Sequence, residues 1–144
     1  MTNLYFAYGA NINIWDMEIR CPNARPVGAF ELRDWQLELY SHATIRPNPG
    51  QSVHGVLWDL TPECEQALDR FEGWPIYYTK REWTQDGQKF FFYEMADPRS
   101  GRPHRDYIMG IADGYLHWHL PVQRISEALD RAYDPQRQDL QPIR

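Results

Sequence analysis

Three features that would narrow the function are missing from this sequence of 144 residues, and the first is an excess of positive charge. Fifteen Lys and Arg stand against 20 Asp and Glu, which gives a formal net charge of −5. Phosphate neutralisation by basic side chains supplies most of the affinity of nucleic-acid binding, so this balance argues against a nucleic-acid partner. The most basic stretch contains Arg99, Arg102, His104 and Arg105, and we interpret it as a solvated loop.

Long apolar runs and paired cysteines are missing as well. No stretch approaches the roughly 20 apolar residues that span a bilayer, so we expect no membrane partner. The first residues, Met-Thr-Asn-Leu-Tyr, lack the basic-then-apolar layout of a signal peptide. Cys21 and Cys64 are far apart and fit no metal or redox spacing. Together these absences favour a soluble protein of a reducing compartment, the cytoplasm.

The residues that are present favour one compact domain of mixed structure. Hydrophobic residues make up 42% of the chain and aromatic residues 15%, enough to build a core. Eleven Pro and nine Gly indicate many short elements joined by turns. We expect a single domain over residues 1–133, followed by a polar tail over 134–144.

The first half of the chain reads mainly as strands. An apolar run over 4–8 predicts a buried strand, and a short helix capped by Asn11 follows and stops at 20–23. Alternation between 26 and 45 predicts two separate strands, with Gln36 and Glu38 facing solvent. The segment Pro47-Asn48-Pro49-Gly50 predicts a turn before another strand over 53–60.

The second half adds helices. Thr61 followed by Pro62 predicts a helix start, and Gly73 with Pro75 predicts its end. The segments 76–84 and 89–95 predict a hairpin around Asp86-Gly87, followed by a polar loop over 97–103 and by helices over 106–117 and 122–133. The pattern predicts an α+β fold with a small mixed, barrel-like sheet surrounded by helices.

Two places have residue types that suit chemistry. The loop Tyr8-Gly9-Ala10-Asn11 follows the first strand, and its Gly allows a ligand to approach the main chain closely. An ordinary strand-to-helix turn explains the same residues. Glu72 lies at the predicted C-terminal end of a helix among aromatic neighbours, which would raise its pKa toward the range useful for proton transfer. A plain surface carboxylate is the alternative for Glu72.

Two further patterns are weaker. Asp69 and Glu72 are three residues apart. This spacing fits either a pair of glycosidase carboxylates or two exposed acids on one helix. His117 and His119 flank Trp118, but no third metal ligand stands nearby.

Several segments together resemble the γ-glutamylcyclotransferase family. The opening segment is similar to the strand and Tyr-Gly-Ser-Asn loop of that family, and five further segments and one single tyrosine follow in the same order. The matching residues are Tyr5, Phe6, Ala7, Tyr8, Gly9, Ala10 and Asn11, then Arg20-Cys21-Pro22, Ala43-Thr44-Ile45, Val53–Trp58, Leu68–Gly73, Tyr107, and a closing segment with Asp113-Gly114-Tyr115 and Leu120-Pro121.

The resemblance implies a reaction and a set of site residues. A γ-glutamyl compound would close into 5-oxoproline and release its amine, with Glu72 as general acid and base. Residues 5–11 and Tyr107 would bind the substrate, and no metal or organic cofactor is implied. Ala10 stands where the family usually has Ser, so a hydroxyl contact is lost. A non-catalytic ligand- or partner-binding protein of the same fold stays the alternative, and a homodimer is one option for the assembly.

Overall fold

The computed structural model describes residues 3–98 and 101–137. Five strands and four α-helices follow one another along these residues, with a one-turn 3₁₀ helix at Ala10–Ile12. The strands are β1 (Asn3–Ala7), β2 (Arg25–Leu39), β3 (Ala43–Leu60), β4 (Tyr78–Gln85) and β5 (Gln88–Met95). The helices are α1 (Ile14–Arg20), α2 (Pro62–Glu72), α3 (Arg105–His117) and α4 (Gln123–Ala132). The predicted α+β class is confirmed.

The five strands form one mixed sheet in the order β2-β3-β1-β5-β4. β1 runs parallel to β5, and the other pairs are antiparallel. The sheet is not closed by backbone bonds, yet it curls until its edge strands approach each other. Gln85 at the end of β4 accepts from the Arg33 N–H at 2.8 Å and donates to the Glu31 carbonyl at 2.9 Å. One side chain therefore bridges the gap between β4 and β2.

Apolar side chains fill both faces of the curled sheet. Rings from non-neighbouring strands meet inside the curl, where Phe30 lies 5.2 Å from Phe90 and Trp35 lies 5.1 Å from Phe92. The outer face packs against α1, α2 and α3 through residues such as Tyr5 and Trp58. Because successive side chains along a strand point to opposite faces, β1 contributes buried side chains to both cores.

The long antiparallel pair of β2 and β3 corrects two predictions. The two strands expected between 26 and 45 form the single strand β2, and the chain reverses at residues 40–42. Pro47–Gly50 is not a turn but a bulge, since residues 48–51 stand opposite Asp34 alone. Within β3, only Val56–Leu60 pair with β1, so the segment Pro47–Gly50 lies where β3 is paired along one edge, and proline is tolerated there.

Gln36 and Glu38 were predicted to face solvent and are instead buried. They hydrogen-bond each other at 2.6 Å, and Arg46 donates to Glu38 at 2.9 Å. Arg131 of α4 adds a contact of 3.7 Å to the same carboxylate. Alternation fails here because α4 covers the face that would otherwise meet water, and the polar groups satisfy one another beneath it.

The helix after β1 begins two residues later than predicted. Asn13, not Asn11, caps α1 and accepts from the Asp16 N–H at 3.1 Å. The 3₁₀ turn separates β1 from α1 and leaves Asn11 buried with its side chain engaged in tertiary contacts. The predicted N-cap at Asn11 is therefore wrong.

The other helix and hairpin predictions are confirmed. Thr61 caps α2, Gly73 ends it in a left-handed conformation with φ 67°, and β4 and β5 form the hairpin around Asp86-Gly87. α3 and α4 lie within one or two residues of their predicted bounds. Arg99 of the basic stretch, the middle of the loop over 97–103 and the end of the tail (138–144) lie outside the described residues. The domain boundary after residue 133 stays a prediction.

Candidate active site

A cavity of about 550 Å³ opens at one end of the curled sheet. The carboxyl ends of the parallel strands β1 and β5 meet there with the amino ends of β3 and β4. The last turn of α2 and the first turn of α3 complete the wall. The lining residues are Tyr5, Tyr8–Asn11, Ser41–Ala43, Arg70–Gly73, Ile76–Tyr78, Tyr93, Met95, Asp97 and Tyr107.

Glu72 lies in this wall as the last residue of α2. The chain turns away directly after it, because the Gly73 N–H bonds back to the Arg70 carbonyl and the Trp74 N–H to the Asp69 carbonyl. The Glu72 carboxylate has no hydrogen-bond partner among the described residues. Burial raises its pKa from 4.5 to about 7, while the charge of Arg20 acts in the opposite direction. The predicted direction of the shift is confirmed, and the group exchanges protons near neutral pH.

The loop after β1 lines the same cavity as Glu72. The main-chain N–H groups of Gly9 and Ala10 donate to no carbonyl oxygen of the described residues. A Cβ placed on Gly9 would lie 3.3 Å from both the Ala43 Cβ and the Tyr107 hydroxyl, so a side chain here would crowd the cavity floor. The loop thus offers unbonded N–H donors at a place where the backbone is closely surrounded.

Asn11 connects this loop to its surroundings. Its Nδ2 donates to the Tyr5 hydroxyl at 3.0 Å, its Oδ1 accepts from Arg20 Nη1 at 2.8 Å, and its carbonyl accepts from Trp58 Nε1 at 3.1 Å. Arg20 in turn lies over the Phe71 ring, 3.9 Å from its centroid. These contacts form a chain from β1 through α1 to the residue that precedes Glu72.

Tyrosine side chains form much of the remaining wall. The hydroxyls of Tyr8 and Tyr78 donate to the carbonyls of Tyr93 and Ala43, at 2.6 and 2.7 Å. The Tyr107 hydroxyl accepts from the Ala43 N–H at 3.0 Å, which leaves its own proton available for a ligand. Burial raises the pKa of Tyr107 to about 12, so this group is a neutral donor at physiological pH.

Most, but not all, of the site residues predicted from the sequence line the cavity. Phe6 and Ala7 do not, because both are almost completely buried in the sheet below it. Sequence analysis also missed part of the wall, including Ser41 and His42 in the turn between β2 and β3. Placing that strand reversal at Pro47–Gly50 hid this contribution, although the matching segment at Ala43–Ile45 pointed to the neighbourhood.

The two weaker patterns do not form sites of their own. Asp69 accepts from the Tyr93 hydroxyl at 2.6 Å and pairs with Lys80 at 2.8 Å, and it does not line the cavity. It is therefore part of a structural network rather than a partner of Glu72. His117 packs against the Trp15 ring. Within residues 3–98 and 101–137, no cluster of three or more His, Cys, Asp or Glu side chains has a metal-binding arrangement.

Comparison with known proteins assigns the family. A family model described as "Gamma-glutamyl cyclotransferase, AIG2-like" matches residues 5–115, which include both the loop at Gly9 and Glu72. The chain belongs to this family. It is thus a member of a cyclotransferase enzyme family, as the order of its sequence segments indicates.

Relatives and solved structures agree with this assignment. The γ-glutamylcyclotransferase of Bos taurus is 29% identical over 140 residues, covering 83% of this chain and 73% of the relative. The human γ-glutamylcyclotransferase is 28% identical over 138 residues with the same coverage. A solved structure named gamma-glutamyl cyclotransferase superposes with a TM-score of 0.77 at 27% identity, covering 96% of this chain and 94% of the other. No helix among the described residues has the length and apolar character to cross a membrane.

Proposed function

We propose that the chain converts a γ-glutamyl amino acid or γ-glutamyl amine into 5-oxoproline and the free amine. The observation that carries this proposal is the position of Glu72, whose carboxylate lines the same cavity as the loop at Gly9 and has a pKa near neutrality. A carboxylate that binds and releases a proton near pH 7 suits a reaction that needs both a base and an acid.

The reaction runs as an intramolecular acyl transfer. Glu72 takes a proton from the α-ammonium of the substrate, and the freed nitrogen attacks the γ-carbonyl carbon to form a five-membered ring. Glu72 then returns the proton to the leaving nitrogen, and the original carbon–nitrogen bond breaks. The second proton, which the ring nitrogen loses on becoming the lactam nitrogen, passes to the released amine, which departs as an ammonium. One carboxylate serves both steps, so the enzyme ends in the state in which it began and needs no other reactant.

The remaining cavity residues would position the substrate. The unbonded N–H groups of Gly9 and Ala10 suit the negative charge that develops on the carbonyl oxygen. The Tyr107 hydroxyl, which would lie 3.3 Å from a Cβ on Gly9, provides a further donor beside them. Holding the glutamyl chain curled is itself a large contribution to the rate, because amine and carbonyl must meet within one molecule.

The exposed rim of the cavity would contact the leaving amine of the substrate. Phe71, Ile76 and Tyr77 expose 48%, 73% and 68% of their surfaces there. Such a rim provides apolar contact surface for the part of the substrate beyond the glutamyl group.

Mass-spectrometric detection of 5-oxoproline tests the proposal. Wild type and Glu72→Gln are incubated with γ-glutamyl amino acids, γ-glutamyl amines and ε-lysine conjugates. Glu63→Gln is the matched control, since Glu63 is an exposed acid at the other end of α2. We expect product from wild type and control but not from Glu72→Gln, whose amide neither accepts nor returns the proton. Turnover in Glu72→Gln would refute the acid/base role.

A non-catalytic binding protein is the second candidate, and Ala10 is the observation that favours it. The family usually has Ser at this position, so one hydroxyl contact of the site is missing. Binding of the same γ-glutamyl compounds, measured by calorimetry without any product from the wild type, would decide for this alternative.

A further inference from the structure

Arg20 lies between the Asn11 loop and the end of α2, and it has no role in the reaction scheme above. It is the last residue of α1 and is only partly exposed. Its Nη1 atom donates to Asn11 Oδ1 at 2.8 Å, and its guanidinium carbon lies 3.9 Å from the centre of the Phe71 ring. One planar cation thus joins the substrate loop to the residue preceding Glu72.

We infer that Arg20 is a positioning residue that holds the end of α2 against the Asn11 loop and places its positive charge near the Glu72 carboxylate. The inference rests on the proposed function only in so far as it makes Glu72 the base of the reaction. Its structural content, the contact chain from Asn11 through Arg20 to Phe71, is independent of any substrate.

Two opposing effects act on the Glu72 carboxylate. Burial disfavours its charge, and the guanidinium of Arg20 favours it by attraction. Because Glu72 has no hydrogen-bond donor among the described residues, the cation is the principal influence that offsets burial. Without this offset a larger fraction of the carboxylate would be protonated at neutral pH, and less of it would be available as a base.

Other ionisable groups surround the carboxylate, and most of them are tyrosines held neutral. Burial raises the pKa of each of these hydroxyls, so their charge does not change between pH 5 and 9: Tyr5, Tyr8, Tyr78, Tyr93 and Tyr107. Farther along the lining lie Arg70 of α2, His42 of the β2–β3 turn and Asp97 after β5. Asp69 of α2 is engaged by Lys80.

Arginine suits this place better than lysine. A guanidinium stacks on an aromatic ring and donates in its own plane at the same time, whereas an ammonium is a point charge. Replacement by Lys therefore keeps the charge and weakens the positioning. Replacement by Met keeps much of the packing of the stem and removes the charge.

The test is a pH titration of Glu72 itself by NMR, with glutamate labelled with ¹³C at the side-chain carboxyl. The Glu72 signal is assigned as the one missing from Glu72→Gln. Wild type is compared with Arg20→Met, Arg20→Gln and Arg20→Lys, after each variant is shown to be folded by circular dichroism. Two neutral variants are included so that the test survives if one of them fails to fold.

We expect the midpoint to rise in both neutral variants and to stay near the wild-type value in Arg20→Lys. At fixed pH the ratio of ionised to protonated Glu72 should fall roughly three- to tenfold, toward the lower figure because Arg20 is partly exposed to water. The acid limb of the pH profile of kcat/KM should shift to higher pH in the same variants. A structural role alone would lower stability without moving either midpoint.

An unchanged Glu72 midpoint in both neutral variants would overturn the inference. An equal rise in Arg20→Lys would also overturn it, because the charge would then be irrelevant. The titration needs no turnover, so it separates this inference from the proposed function. A shifted midpoint in a protein that forms no 5-oxoproline would support the role of Arg20 and refute the cyclotransferase.

Discussion

At the scale of single residues, the site depends on a carboxylate that is costly to ionise. Glu72 gains no hydrogen bond from the described residues and lies in a partly buried wall, so its charged form is destabilised relative to an unfolded chain. A group that binds protons more tightly when the chain is folded favours the fold in its protonated form. Its favourable contribution is fully present below about pH 4.5 and is lost as the pH rises through about 7.

The difference in unfolding free energy between Glu72→Gln and wild type should therefore depend on pH. The rise of the pKa from 4.5 to about 7 corresponds to an upper limit of about 3 kcal/mol. Solvent screening reduces this for a partly exposed group, so we expect Glu72→Gln to gain about 1–2 kcal/mol over wild type on going from pH 5 to pH 8. Urea unfolding at both pH values measures it, with Glu63→Gln as control. An equal difference at the two pH values would contradict the burial of Glu72.

Sequence analysis predicted a site at Glu72 and the Gly9 loop, which line one cavity, but it assigned Asn11 the wrong local role. An Asn between a strand and an amphipathic segment is typical of a helix cap, and Asn13 satisfies the same description two residues later. What distinguishes them is tertiary contact, since Tyr5 and Arg20 engage the Asn11 side chain. Contacts of this kind have no local sequence signal.

At the scale of elements, the long β2–β3 pair shows where local patterns fail. Pro-Asn-Pro-Gly is a strong turn signal, but the chain continues through it because the apolar residues on both sides pair in register with β2. Alternation likewise predicted an exposed face at Gln36 and Glu38, which α4 covers. Helices and hairpins with capping or turn residues at their ends were predictable, because their signals are local.

Gly55 in β3 is required by the close packing of β3 against β1. A Cβ at this position would lie 2.1 Å from the Ala7 carbonyl oxygen and 2.8 Å from the Phe6 ring. Gly55→Ala should cost more than about 3 kcal/mol or prevent folding, because backbone must move. Gly110→Ala in α3 is the matched control, where a Cβ meets nothing within 4 Å. We expect that control to gain up to about 1 kcal/mol from helix propensity. Urea unfolding of Gly55→Ala at wild-type stability would contradict this packing.

At the scale of the whole molecule, the sheet curls almost into a barrel without closing. The expectation of a barrel-like sheet was met in shape. The bridge that the Gln85 side chain makes between its edge strands could not be predicted, because it joins residues more than 50 positions apart. The amide replaces a pair of ladder bonds by accepting from one strand position and donating to another.

Removing this bridge should loosen the molecule. Gln85→Leu leaves the Arg33 N–H and the Glu31 carbonyl without their partner, which we expect to cost about 2–3 kcal/mol. Gln88→Leu, in the same hairpin but exposed, is the control and should change stability by less than about 0.5 kcal/mol. Thermal unfolding followed by circular dichroism compares the two. Equal melting temperatures would show that the bridge contributes nothing.

The assembly and the location of the protein stay predictions. Trp15, Trp83 and Trp118 are the candidates for a homodimer contact. Trp15 is 56% exposed, whereas Trp118 already donates to the Ile12 carbonyl and Trp83 packs on Trp35. Trp15 is therefore the strongest of the three, and sedimentation of the wild type would determine the state.

The central claim is that the cavity holds a γ-glutamyl group with its α-nitrogen at Glu72. A crystal structure of Glu72→Gln, soaked with a γ-glutamyl substrate that the wild type turns over, tests it most directly. The account predicts the α-nitrogen about 2.6–3.2 Å from the side chain at position 72, with the γ-carbonyl oxygen toward the N–H groups of Gly9 and Ala10. A substrate bound in another orientation, or an empty cavity at saturating substrate, would contradict it.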